Sequence, residues 1–185
     1  MIKNIIIWKT CRILANESRL RILKRLMRGA ELCVTEIADA EEITPVVASQ
    51  HLRMLHELGI LKQTRKSKWT FYSMDAAPES MLIQEIHKPL ERELVRKQGQ
   101  IPELLKLMTA FTHPRRVEII KQLAKSPRTF NELTSACAIS PRAMIRHLSK
   151  LQSRNFIRLN ADVYSLLPKG TVLKKRLVAM CQQSQ

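Results

Sequence analysis

Arg142, Arg146 and Lys150 follow one another at four-residue spacing, which stacks three cationic side chains on one face of a helix. Guanidinium groups so displayed pair bidentately with guanine in a major groove, and any of the three neutralises phosphate. An ordinary solvated face is the competing explanation, and three charges sharing one face weigh against it. A matching stretch at Val46, Ser49, Gln50 and Arg53 is less charged. There Gln50 suits adenine, whereas Val46, like Ile145 in the other stretch, meets only a thymine methyl. Thr44 and Ser140 each precede a proline, placing a hydroxyl at a helix N-cap, where backbone N–H groups approach phosphate. Arg65-Lys66-Ser67-Lys68-Trp69 reads as a basic hairpin tip suited to a phosphate backbone or a minor groove. Its counterpart, Asn160-Ala161-Asp162, carries no positive charge.

Other chemistry finds little support. No Ser/His/Asp, paired-carboxylate or phosphate-loop arrangement occurs, so no enzyme is expected. Cys11, Cys33, Cys137 and Cys181 are widely spaced and form no C-x-x-C pair, against both a zinc ribbon and a disulfide framework. Neither a metal nor another cofactor is expected. Cys33 reads as a small packing residue, with Cys11 a possible neighbour, and His51 and His147 read as packing histidines rather than ligands.

The elements that position these residues occur twice. The segment 19–26 aligns with 116–123, and Ile43-Thr44-Pro45 with Ile139-Ser140-Pro141. His51-Leu52 meets His147-Leu148, and Tyr72-Ser73 meets Tyr164-Ser165. Each copy predicts an amphipathic helix (18–28 and 115–125) and a short helix (34–40 and 130–136). A tight turn leads to a third helix that closes at Gly59 or Asn155, residues suited to a left-handed cap. Two strands end each copy: 61–65 with 69–74, and 157–159 with 163–166. The pattern is a winged helix-turn-helix, with the third helix shaped for a major groove. The predicted fold is mainly α with small β-hairpin wings. Domain boundaries fall at 1–98 and 99–185, near Gly99-Gln100-Ile101-Pro102. Residues 2–8 start a helix, 80–97 form one bent near Pro89, and 101–109 and 169–183 open and close the second copy. Their apolar stripes exceed what each copy needs, which suggests that they pair the copies as an intrachain pseudo-dimer.

The 185 residues carry a net charge of +16. Residues 1–98 hold 17 Lys+Arg against 12 Asp+Glu, and residues 99–185 hold 15 against 4. Such an excess favours a polyanion, because each phosphate contact releases counterions. No apolar run of membrane-spanning length occurs, so a cytoplasmic chain without a membrane partner is expected.

At Leu14-Ala15-Asn16-Glu17-Ser18-Arg19-Leu20-Arg21-Ile22-Leu23 the chain resembles the ArsR-type repressors. The stretch 31–38 and the helix Ser49-Gln50-His51-Leu52-Arg53-Met54-Leu55, followed by Gly59-Ile60-Leu61, resemble that family too. The likeness covers nearly all of 12–74 and, more weakly, 111–167. It implies a transcription regulator of double-stranded DNA, a repressor by type, whose single chain supplies both halves of the family's usual dimer. A homodimer of such chains is a further possibility. The chain departs from thiophilic metal sensors, which carry a second cysteine where Thr35 stands, and its 80–97 segment holds one histidine, His87. The alternative from another class is a protein-interaction module built on the same winged helices.

Overall fold

The computed structural model describes residues 2–96, 101–167 and 170–183. The first copy opens with α1 (Ile2–Leu14) and α2 (Glu17–Leu26). The Asn16 side chain caps α2 by accepting from the Arg19 N–H at 3.0 Å. A two-residue strand β1 (Leu32–Cys33) leads into α3 (Val34–Glu41), whose first turn is closed by the Glu36 carboxylate accepting from the Cys33 N–H at 2.7 Å. Glu42 ends that helix in the left-handed region, φ 53°. Thr44 caps α4 (Pro45–Glu57), accepting from the Val47 N–H at 3.4 Å, with Pro45 at the first helical position. Gly59, φ 78°, turns the chain into the hairpin β2 (Leu61–Lys66) and β3 (Trp69–Met74). Gly59 and its counterpart Asn155, φ 55°, thus hold the left-handed positions expected of them.

The wing has one strand more than the hairpin expected from sequence. β1 pairs antiparallel with β3, Leu32 opposite Tyr72 and Cys33 opposite Phe71, giving the order β1-β3-β2. The copy ends in α5 (Met81–Glu91) and a π-helical turn over Arg92–Arg96. Pro89 lies inside α5 and supplies no backbone N–H, and the helix widens three residues later, near the expected bend.

The second copy repeats this order. α6 (Ile101–Phe111), α7 (Pro114–Lys125), β4 (Arg128–Thr129), α8 (Phe130–Cys137), α9 (Pro141–Ser153), β5 (Ile157–Asn160), β6 (Val163–Leu166) and α10 (Val172–Gln183) build a second three-stranded sheet, β4-β6-β5. Ala138 mirrors Glu42 at φ 50°. Arg19 donates its Nε–H to the Ile13 carbonyl at 2.5 Å, and Arg116 to the Ala110 carbonyl at 2.9 Å. The common offset makes α1 the counterpart of α6, extending the repeat to the helices that flank it. One capping expectation fails: Ser140 occupies the N-cap of α9, but its side chain makes no capping bond.

By packing, the chain divides into two compact units, and neither matches a copy of the repeat. One unit runs from Ile13 to Leu105. Its core sets Leu20, Leu23 and Leu26 of α2 with Ile37, Leu52 and Ile86, all buried. The other unit joins the chain from Lys106 onward to the segment ending at Arg12, which includes most of α1. In it Phe111 and Phe156 meet edge to face with centroids 5.2 Å apart. Gln182 of α10 donates to the Ala124 carbonyl at 3.0 Å, and Lys174 to the Leu167 carbonyl at 3.2 Å. The boundary expected at 98/99 comes from the repeat, and its Gly99-Gln100 lies outside the described residues, as do Lys97 and Lys169 at the ends of the expected helices. No helix among the described residues is long and apolar enough to cross a membrane.

Candidate nucleic-acid interface

In the first copy α4 buries Ala48, Leu52 and Leu55 and turns Val46, Ser49, Gln50 and Arg53 outward. Val46 is 67% exposed, a large apolar group left in water at the start of the helix. Arg53 lies 3.7 Å from Glu57 one turn on, both well solvated. At the wing tip Arg65, Lys66 and Lys68 are all exposed. Lys66, however, is ion-paired with Glu31, and its ammonium also stands 5.2 Å from the Phe71 centroid. Lys68 lies 5.6 Å from the centroid of Trp69, itself 47% exposed. Arg65 and Lys68 are therefore the readier anion partners of the tip.

In the second copy α9 buries Met144, Leu148 and Leu151 and presents Arg142, Ile145, Arg146 and Lys150. The structure thus brings each group of expected reader residues onto one solvent-facing side of its helix. Copy against copy, Arg142, Ile145 and Arg146 stand where Val46, Ser49 and Gln50 do. Lys150 corresponds to Met54, and Ser149 takes the place of Arg53. The tip of the second wing turns through Ala161 and Asp162, both at positive φ, and Asn160-Ala161-Asp162 is exposed without positive charge.

Behind α9 lies an arrangement that the sequence did not announce. His147 is 3% exposed and its ring centroid is 4.6 Å from that of His113. His113 in turn caps α7, its Nδ1 accepting from the Arg115 N–H at 3.1 Å. Nε2 of His147 has no hydrogen-bond partner. Burial above all, then His113 and the guanidinium groups of Arg116, Arg146 and Arg115, push the His147 pKa down to about 4. His113 is lowered by burial first and by Arg116, Arg115, Arg146 and Arg12. His147 is therefore neutral at pH 7, and the two rings, tilted 45° to one another, hold the first turn of α7 against the middle of α9. Arg115, exposed on that turn, and Arg146, exposed on α9, both act on this imidazole pair. The sequence signal that could have found it is the pair His113-Pro114, an N-cap followed by a first helical proline. In the first copy His51 has Nδ1 3.4 Å from an Arg19 nitrogen, and burial, then Arg19, lowers its pKa.

The cysteines contribute no chelate. Cys33 is the N-cap of α3, with its Sγ 3.1 Å from the Thr35 hydroxyl. Cys11 lies beside Cys181, in the unit containing α10. Burial pushes the Cys11 thiol far up and Cys181 to about 12, so both are protonated. Among the described residues no group of three His, Cys, Asp or Glu side chains is placed to hold a metal ion.

The sequence pattern described as "Bacterial regulatory protein, arsR family" matches this chain twice, over residues 16–63 and 113–158, together just over half of its length. The chain belongs to this arsR family. Both matches span a helix-turn-helix and stop before the tip of the wing. They take in Thr44 to Arg53 and Ser140 to Lys150 of the expected interface and leave out Arg65, Lys66 and Lys68.

Relatives agree with the arsR assignment. A cadmium resistance transcriptional regulatory protein CadC homolog of Staphylococcus aureus is 34% identical over 77 residues, 42% of this chain and 64% of that protein. The arsenic resistance transcriptional regulator ArsR1 of Pseudomonas putida is 39% identical over 61 residues, 33% of this chain and 48% of its own length. The arsenical resistance operon repressor of Escherichia coli K12 is 36% identical over 63 residues, 34% of this chain and 54% of that one. The chain thus spans roughly half to two thirds of these three relatives.

Proposed function

We propose that this arsR-family chain is a sequence-specific, double-stranded-DNA-binding transcription regulator acting as a repressor. The observation that carries the reading is the duplicated winged helix-turn-helix with two solvent-facing helices, one of them strongly basic. Thr44, Val46, Ser49, Gln50 and Arg53, with Arg65, Lys66 and Lys68 of the wing, serve one half-site. Ser140, Arg142, Ile145, Arg146 and Lys150 serve the other. The two heads form an intrachain pseudo-dimer and read half-sites about one helical turn apart, roughly 34 Å. The regulator works in the cytoplasm without metal or other cofactor. No metal effector is carried over from the relatives' printed roles in cadmium and arsenic resistance, because Cys33 is a single thiol with Thr35, not a second cysteine, two residues on.

The decisive test is selection of a duplex from random genomic DNA, followed by titration against salt. Roughly four to eight phosphate contacts give a log–log slope of about −4 to −7. A flat slope, or no preference among duplexes, sinks the reading. It would favour a protein-interaction module, for which the exposed, uncharged Val46 and the neutralised Lys66 of the first copy already speak.

A further inference from the structure

The two copies also differ where α2 meets the end of α3 and α7 the end of α8. In the first, Arg21 bonds Glu17 at 2.6 Å and also feels Glu41 and Glu42, while Arg25 bonds Glu41 at 2.9 Å. The result is an ionic cluster across α2 and the end of α3, built around the largely covered Glu41 carboxylate. At the corresponding positions the second copy has Glu118 for Arg21, Pro114 for Glu17, Cys137 for Glu41, Ala138 for Glu42 and Gln122 for Arg25. The charge at the centre is reversed, its three carboxylate partners give way to Pro114, Cys137 and Ala138, and Arg25 gives way to the neutral Gln122.

A cleft of about 280 Å³ opens at that place. Its walls are the Trp8 ring, Val117, Ile139 and the Cys137 thiol, and its charged groups are Glu118 and Arg115. Trp8 stands where the repeat has Leu105, so the one aromatic wall is also particular to this site. Glu118 is half-buried and is held by Gln122, whose Nε2 donates to it at 2.7 Å. Arg115 is exposed and hydrated. A carboxylate set among apolar walls attracts an opposite charge more strongly than a guanidinium screened by water. The size is at the lower end for ligand sites, room for one ring and a small polar group. The Lys9 ammonium already lies 5.9 Å from the Trp8 centroid, at the outer limit of a cation–π contact, so the ring accepts cations.

We propose that this cleft binds a small organic cation with a planar apolar body, the ring against Trp8 and the charged group on the Glu118 carboxylate. The Cys137 thiol, raised to about 11 by burial and then by Glu118, stays protonated, so the contact is non-covalent. Ile139 immediately precedes Ser140, so an occupant bears on the turn that launches α9. Occupancy is a property of the free protein and stands apart from the reading of DNA.

The chain has two tryptophans, so Trp69→Phe leaves Trp8 as the sole indole reporter. Three isosteric probes separate the chemistry: benzamidinium, benzamide and benzoate. Benzamidinium should quench Trp8 saturably with a Kd of about 1 mM and raise Tm. Benzamide and benzoate should bind at least about tenfold more weakly. Glu118→Gln, a change that keeps shape, should weaken benzamidinium about tenfold and leave benzamide unchanged. Cys137→Phe should fill the cleft and abolish saturation, with circular dichroism checking the fold. Equal titrations by all three probes, tighter benzoate, an unaffected Glu118→Gln variant, or no saturable quenching would each overturn the proposal.

Discussion

Arg146 and Lys66 test the interface at the level of single residues. If Arg146 reads a guanine, Arg146→Ala costs roughly 1–3 kcal/mol and relaxes specificity at one base pair. Lys66→Ala should weaken all duplexes about equally, but by less than a free lysine would, since Glu31 already neutralises it. The same ion pair predicts the opposite sign for its partner. Glu31→Gln should tighten binding and steepen the salt slope, and fluorescence anisotropy across salt concentrations distinguishes the three variants. Cys33→Ser should leave DNA affinity and its response to zinc, cadmium or peroxide nearly unchanged, whereas a lost response would restore a sensing role. His147 gives a prediction in pH. Its folded pKa lies near 4, below the ordinary 6.5, so between those values the unfolded chain binds more protons. Stability is therefore present above about pH 6.5 and falls as pH drops towards 4, by about 2 kcal/mol at pH 5 from this ring alone. His51 and His113, lowered too, add in the same direction. Tm measured from pH 7.5 to 5 should fall, and less steeply in a His147→Asn variant. A flat profile would mean that the ring is not held neutral.

At the scale of elements the two reading helices start differently. Thr44 makes its capping bond and Ser140 does not, although both precede proline. Thr44→Ala should therefore cost about 1 kcal/mol, and Ser140→Ala only a few tenths, as read by chemical denaturation. Equal losses would show that the Ser140 hydroxyl caps α9 in solution. Periodicity and caps located each helix within a few residues because both depend on neighbours three or four apart. The strands β1 and β4 escaped notice. Two residues have no period, and their pairing partners lie some 35 to 40 positions away. The left-handed ends of α3 and α8 fall on Glu42 and Ala138, where no glycine or asparagine marks them.

For the whole molecule, two different heads in one chain should select an imperfect, asymmetric inverted repeat. The half met by Val46, Ser49 and Gln50 should lean to A·T, and the half met by Arg142 and Arg146 should contain G. Footprinting together with light scattering of the complex tests this. A perfect palindrome bound by two chains, each through its first copy alone, would defeat the intrachain pseudo-dimer. Should two chains pair, a footprint of four half-sites would reveal it.

Sequence by itself determined the duplicated architecture, the buried and solvent-facing sides of α4 and α9, and the contrast between a basic wing and a basic helix. These features follow from local spacing, capping and turn chemistry, and Arg142, Arg146 and Lys150 need only a helix to share a face. Tertiary structure decided what depends on distant partners. It tied Lys66 to Glu31 and set His147 on His113, within reach of the charges of Arg115 and Arg146. It also grouped most of α1 with the second copy rather than the first. An apolar stripe such as that of α1 states that a partner exists, but burial is non-directional. Which surface covers the stripe is settled only when every competing surface is folded.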